Sequence, residues 1–339
     1  MKFACTLSLF LFACSEPSGV VGVGASSGSS SGSSSGSESS SGSSSGSSSG
    51  GGGASSGGGS SAGASSGGGA LATHHIYIAN NHSPGGIAQY ALPLTTNSTP
   101  HFTISASNVV GLAVDVHGNL ASAATGGELA TFTAPLSATR AADAKFANSA
   151  STDTGAIAFD GTGRLVAATH TATVAVFTGP YSAATTPSST LTAGGESAGI
   201  AFDSQGQLIV VVSDGASGHL EVYASLGSSV SVATPALNQG LRQAASSEHA
   251  LYVSATDSAD GEVLAYALPL TNMSAPAFAI TNGVKTPESL AVDADGNLYV
   301  ANLGDSTVKV YTPPLSAASA PAVVLTLDGQ HLSGLALGP

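Results

Sequence analysis

Six copies of one short phrase, at nearly constant spacing, constrain this chain more than any other feature. Gly111-Leu112-Ala113-Val114-Asp115 returns as Ala156-Ile157-Ala158-Phe159-Asp160, Gly199-Ile200-Ala201-Phe202-Asp203 and Ser289-Leu290-Ala291-Val292-Asp293. Gly240-Leu241 and Gly334-Leu335-Ala336 are weaker copies. The second residue falls at 112, 157, 200, 241, 290 and 335, giving spacings of 45, 43, 41, 49 and 45. A second phrase centres on Tyr90, Phe132, Phe177, Tyr223, Tyr266 and Tyr311. Pro93, Pro135, Pro180, Pro269 and Pro314 follow three residues later, and the Tyr223 copy lacks the proline.

Each unit reads as four short strands. The first phrase is one strand, closed by a turn such as Asp293-Ala294-Asp295-Gly296, where Asp accepts backbone N–H bonds and Gly tolerates positive φ. Leu298 to Ala301 and Leu208 to Val212 read as second strands. The aromatic phrase is the third strand, and its proline stops ladder pairing. Segments such as His101 to Ile104 and Ala277 to Ile280 supply the fourth. No helical period is sustained anywhere. Four strands per unit of 41 to 49 residues predict an all-β fold, a six-bladed β-propeller. Blades covered on both faces explain why 42% of residues are hydrophobic and only 8% are charged. The repeat region, residues 71–339, opens on a second strand, His75 to Ala79, and finishes on a first strand, Leu332 to Leu337. Together these ends predict one shared blade that closes the ring.

The pattern Gly-[Leu/Ile]-Ala-[Val/Phe]-Asp-x-x-Gly-x-Leu resembles NHL repeats, and the copy from Ser289 to Tyr311 resembles them best. The resemblance spans the repeat region and implies the fold. Propellers similar to NHL-repeat and gluconolactonase proteins include lyases, lactonases and plain binding modules, so it leaves the activity open.

Charge removes one class of partner. The repeat region carries six Lys and Arg against 18 Asp and Glu, and the whole chain has a net charge of -13. Nucleic-acid phosphates require a basic surface, so RNA and DNA are not expected partners. Both cysteines, Cys5 and Cys14, precede the repeats, so the folded region holds no disulfide or thiolate zinc site.

Met1-Lys2 and the apolar run Phe3 to Ala13 have the form of a secretory signal. Leu11-Phe12-Ala13-Cys14 resembles the lipobox of bacterial lipoproteins, which implies cleavage after residue 13 and lipidation of Cys14. Residues 14–70 then form a linker of nearly pure Ser, Gly and Ala, with too little apolar side chain to offset backbone ordering. As a flexible coil its ends lie on the order of 40 Å apart. These features predict an extracytoplasmic domain tethered to the bacterial envelope, at the outer membrane, touching the bilayer only through its lipid. A monomer is expected.

Loops at one end of the ring are the expected ligand site. The residues three positions before each first phrase are Asn108, Asp153, Glu196, Leu237, Thr286 and His331. The loops between second and third strands add Asn80, His82, His170, Asp214, Asp257, Asp260, Asn302 and Asp305. Of these, Asn108, Asp153, Glu196, His331, Asn80, His82, His170 and Asn302 are the expected ligand-binding residues. Asp153 and Glu196 suit a divalent cation, calcium or magnesium, through oxygen ligands; adding His331 shifts the preference towards zinc. Asp115, Asp160, Asp203 and Asp293 read as turn residues rather than as a carboxylate array. No catalytic residue is assigned. The sequence favours a binding or scaffold module for a protein or small ligand, with a metal-dependent lactonase or lyase as the alternative and a structural spacer as the third reading.

Overall fold

A computed structural model describes residues 74–82, 85–151, 154–256 and 260–339. The signal, Cys14 and the Ser/Gly linker lie outside the described residues, as do Asp153 and Asp257. The described residues form 24 strands in six four-stranded antiparallel sheets: a six-bladed β-propeller. Blade 1 runs outward as β4 (Val109–Val114), β5 (Leu120–Ala124), β6 (Glu128–Phe132) and β7 (Ala144–Ala147). The innermost strands of blades 2 to 5 are β8 (Thr154–Phe159), β12 (Ser197–Phe202), β16 (Leu241–Ser246) and β20 (Pro287–Val292). Blade 6 joins the two ends of the repeat region. Its order is β24 (Leu332–Gly338), β1 (His75–Asn80), β2 (Gly86–Ala91) and β3 (Phe102–Ser105). The C-terminal strand is therefore innermost in the blade that the N-terminal strand begins, and β24 packs between β20 and β4 to complete the ring.

Alternation within strands sends side chains to both faces of each blade, and each face meets a neighbouring blade. One apolar cluster, for example, joins Ala156, Val166 and Val174 of blade 2 to Ile200, Phe202 and Val210 of blade 3. The aromatics Tyr90, Phe132, Phe177, Tyr223, Tyr266 and Tyr311 are all buried. The five prolines three residues beyond them each follow a cis peptide bond.

The repeated aspartates close turns. Asp115 Oδ1 accepts the backbone N–H groups of His117 at 2.8 Å and Asn119 at 2.9 Å. Asp160, Asp203 and Asp293 accept from the same two offsets. Asp293 also accepts from the Tyr299 hydroxyl at 2.9 Å.

Strand register moves one repeat. Leu112, Ile157, Ile200, Leu290 and Leu335 pair with Ser122, Ala167, Val210, Val300 and Ile78. In blade 4 the residue in that place is Ala244, opposite Val253, not Leu241. The spacings become 45, 43, 44, 46 and 45, more even than the sequence phrase suggests. Gly240-Leu241 copies the look of Gly199-Ile200, but the strand is aligned by burial of small Ala244 and Ala245 against the neighbouring blades.

Candidate functional site at the channel mouth

Each innermost strand carries a β-bulge near its start. A bulge adds an unpaired residue to one strand and re-aims a side chain. The residues delivered this way, from blade 1 to blade 6, are Val110, Gly155, Ala198, Arg242, Glu288 and Ser333. All six line one cavity of about 380 Å³ at the end of the channel. A second tier stands at or just beyond the ends of the second strands. There Asn81, His170, Ser213, Thr256 and Leu303 line the same cavity.

The two tiers are tied by one recurrent backbone bond. Thr125, Ser213, Thr256, Leu303 and Asn81 donate their N–H groups to the carbonyls of Asn108, Glu196, Gly240, Thr286 and His331, at 2.9 to 3.1 Å. Gly240 thus occupies in blade 4 the position that the sequence phrase gives to Leu237. Leu237 instead exchanges backbone hydrogen bonds with Gly218, at the start of the third strand of blade 3.

Of the expected ligand-binding residues, the structure brings Glu196, His170 and His331 to the cavity wall. Asn108 is exposed, in a left-handed conformation with φ 57°, and does not line the cavity. Asn302 is fully buried; its amide donates to the Gly283 carbonyl at 3.1 Å and accepts from the Lys285 N–H at 3.0 Å. Asn80 is half-buried, and its Oδ1 accepts the backbone N–H groups of both His82 and His331 at 3.0 Å. These two asparagines are structural ties. By strand alternation the residue beside each of them, Asn81 or Leu303, is the one that lines the cavity. His82 is exposed and its ring centroid lies 5.0 Å from that of His331. Among the other loop acids, Asp214 accepts from the N–H groups of Ala216 and Ser217, Asp260 pairs with Lys285, and Asp305 pairs with Lys309.

Two charged pairs dominate the wall. His170 Nδ1 lies 3.2 Å from Glu196 Oε1, joining blades 2 and 3. Arg242 Nη1 lies 3.6 Å from Glu288 Oε2, joining blades 4 and 5. Burial raises the Glu288 carboxyl above its ordinary range, and the nearby charges of Arg242 and His170 pull the other way. Gly155 makes room for His170: a Cβ there would meet the ring's Nε2 at 2.7 Å. Arg242 and Glu288 were missed in the sequence because the expected register looked two positions too early. In blade 4 the shifted repeat also hid Arg242 behind Gly240-Leu241.

Of the expected hard-cation pair, only Glu196 is among the described residues. Among the described residues, no three His, Cys, Asp or Glu side chains gather closely enough to hold a metal ion. Glu196 is engaged by His170, and Asp153 lies outside the described residues.

The class of protein defined by fold and site is a six-bladed β-propeller with a polar cavity at one end of its channel. No protein-family model matches the sequence, and no curated protein matches it. Solved propellers match in shape. A protein from Bacteroides fragilis, provisionally named a 6-phosphogluconolactonase, superposes with a TM-score of 0.59 at 12% identity, over 78% of this chain and 98% of its own. A similarly named protein from Bacteroides uniformis gives 0.55 at 14% identity, over 78% of this chain and 85% of its own. A chain of the nidogen–laminin complex gives 0.56 at 14% identity, over 78% and 97%. At such identities the likeness defines the fold alone.

Proposed function

We propose that this chain is a lipid-anchored envelope protein whose propeller binds a small hydroxylated acid, or its lactone, at the channel mouth. The observation that carries the reading is the delivery of Arg242 and Glu288, with His170 and Glu196, into one cavity by side chains from four blades. A volume of about 380 Å³ suits a small molecule rather than a protein segment. Carboxylates accept hydrogen bonds from ligand hydroxyls, and the Arg242 guanidinium donates to a carboxylate or carbonyl. Cys14 and the Ser/Gly run of residues 15–70 support the anchor and tether.

Thermal-shift measurements with D-gluconate and D-glucono-1,5-lactone test the binding. We expect a rise of a few degrees at saturating ligand, lost in Arg242→Ala. No rise with either compound counts against the reading. For the anchor, the wild type should take up labelled acyl chains and sediment with membranes, and Cys14→Ser should do neither.

Lactone hydrolysis is the second reading, favoured by the buried Glu288 carboxyl and by the provisional names of the Bacteroides propellers. Glu288 would take a proton from the water that attacks the carbonyl carbon, with Arg242 holding the carbonyl oxygen, and would return it to the ring oxygen as the acyl C–O bond breaks to give the hydroxy acid. Enzyme-dependent acid release above the spontaneous rate, abolished in Glu288→Gln, distinguishes hydrolysis from binding.

A further inference from the structure

We propose that His82 and His331 form a two-imidazole site for a late first-row divalent cation, zinc, nickel or copper, at the seam where the ring closes. His331 lies in the loop leading into β24, and His82 in the loop leaving β1. Their ring centroids are 5.0 Å apart with the planes tilted by 51°. Zinc–imidazole bonds of about 2.0–2.1 Å put the metal roughly 3.2 Å from each ring centroid. At a tetrahedral angle two such centroids lie about 5.2 Å apart, so the observed pair stands at the chelating separation.

The loops are held for this. Asn80 Oδ1 accepts the backbone N–H of His82 and of His331, each at 3.0 Å, and the Asn81 N–H donates to the His331 carbonyl at 2.9 Å. One half-buried amide thus fixes both backbones that carry the imidazoles. Both rings are exposed, so an ion reaches them directly. Among the described residues no third His, Cys, Asp or Glu joins them. Imidazole selects zinc, copper or nickel over calcium and magnesium, which take oxygen ligands. Since His331 also lines the channel-mouth cavity, the ion would stand at its rim.

The test titrates untagged full-length protein with zinc chloride under reducing conditions, with calcium chloride as the control, by calorimetry and by thermal shift. We expect zinc to bind and to raise Tm by a few degrees, calcium to do neither, and His82→Ala and His331→Ala each to remove the bound equivalent. His249→Ala, in the turn after β16, and His75→Ala, at the far end of β1, should retain it. Zinc binding that survives in His82→Ala or His331→Ala overturns the proposal, as does an absence of zinc binding in the wild type. D-gluconate binding measured without zinc is a separate readout, so failure of the metal site leaves the ligand site independently testable.

Discussion

Arg242 Nη1 faces Glu288 Oε2 at 3.6 Å across the boundary between blades 4 and 5. Both residues are the extra residues of β-bulges, and an unbulged strand would bring different side chains to the channel. This charged pair of the cavity thus follows from a backbone irregularity repeated six times, filled by Val110, Gly155, Ala198 and Ser333 in the other blades.

The Glu288 carboxyl predicts a pH-dependent stability. Burial, the largest influence, raises its pKa, and an acid with a raised folded pKa opposes folding once ionised. That cost is absent below the unfolded value near 4.3 and grows as pH rises through the folded one. Glu288→Gln should therefore raise Tm at pH 7 to 8 and leave it nearly unchanged at pH 4. A lower Tm at pH 7 would show that the attraction of Arg242 outweighs burial.

Ring closure predicts a strong effect of truncation. β24 buries Leu332, Leu335 and Leu337 against β1 and the flanking blades. Each leucine side chain is worth about 1.5–3 kcal/mol of burial, against a total stability of roughly 5–15 kcal/mol. Removing residues 332–339 should abolish cooperative unfolding or lower Tm by more than about 10 °C. A truncated protein that melts like the wild type would contradict the shared blade.

Close approach of neighbouring blades makes one glycine irreplaceable. A Cβ on Gly199 would fall 2.2 Å from the Arg242 carbonyl oxygen, which is backbone and cannot swing away. Gly199→Ala should cost more than about 2 kcal/mol. At Gly155 the nearest obstacle is the movable ring of His170, and the Ala198 carbonyl oxygen stands further off at 3.3 Å. Gly155→Ala should cost little stability while displacing His170 from Glu196, so chemical denaturation should separate the two variants clearly.

The turn aspartates should also differ among themselves. Asp203→Ala leaves the N–H groups of Gln205 and Gln207 without their carboxylate acceptor, a loss of about 1–2 kcal/mol. Asp293→Ala additionally strips partners from the Asn297 amide and the Tyr299 hydroxyl and should cost more. Equal losses in urea melts would mean that those two side-chain bonds contribute nothing.

Much of the fold is legible in the sequence because each blade must repeat the same burial. The Asp-Gly turns, the buried aromatics and the orphan strands at either end all mark positions with a fixed environment. Ala244 was not legible, since a small residue in a crowded wall looks like any alanine, whereas Gly240-Leu241 looks like the phrase. The cavity was less legible still. Glu196, His170 and His331 stand out as polar residues in loops, but a β-bulge leaves no mark in the sequence of Arg242 or Glu288. Asn80 and Asn302 carry the same polar signal as ligand contacts yet spend it on the backbone.

Isothermal titration with D-gluconate tests the channel-mouth account most directly. Wild-type protein and Glu248→Gln, a change at the end of the ring away from the cavity, should bind one equivalent with the same Kd. Arg242→Ala should weaken binding at least tenfold, about 1.4 kcal/mol, because the lost donors meet the ligand's charged group. Binding that is unchanged in Arg242→Ala, or absent from the wild type, would contradict it.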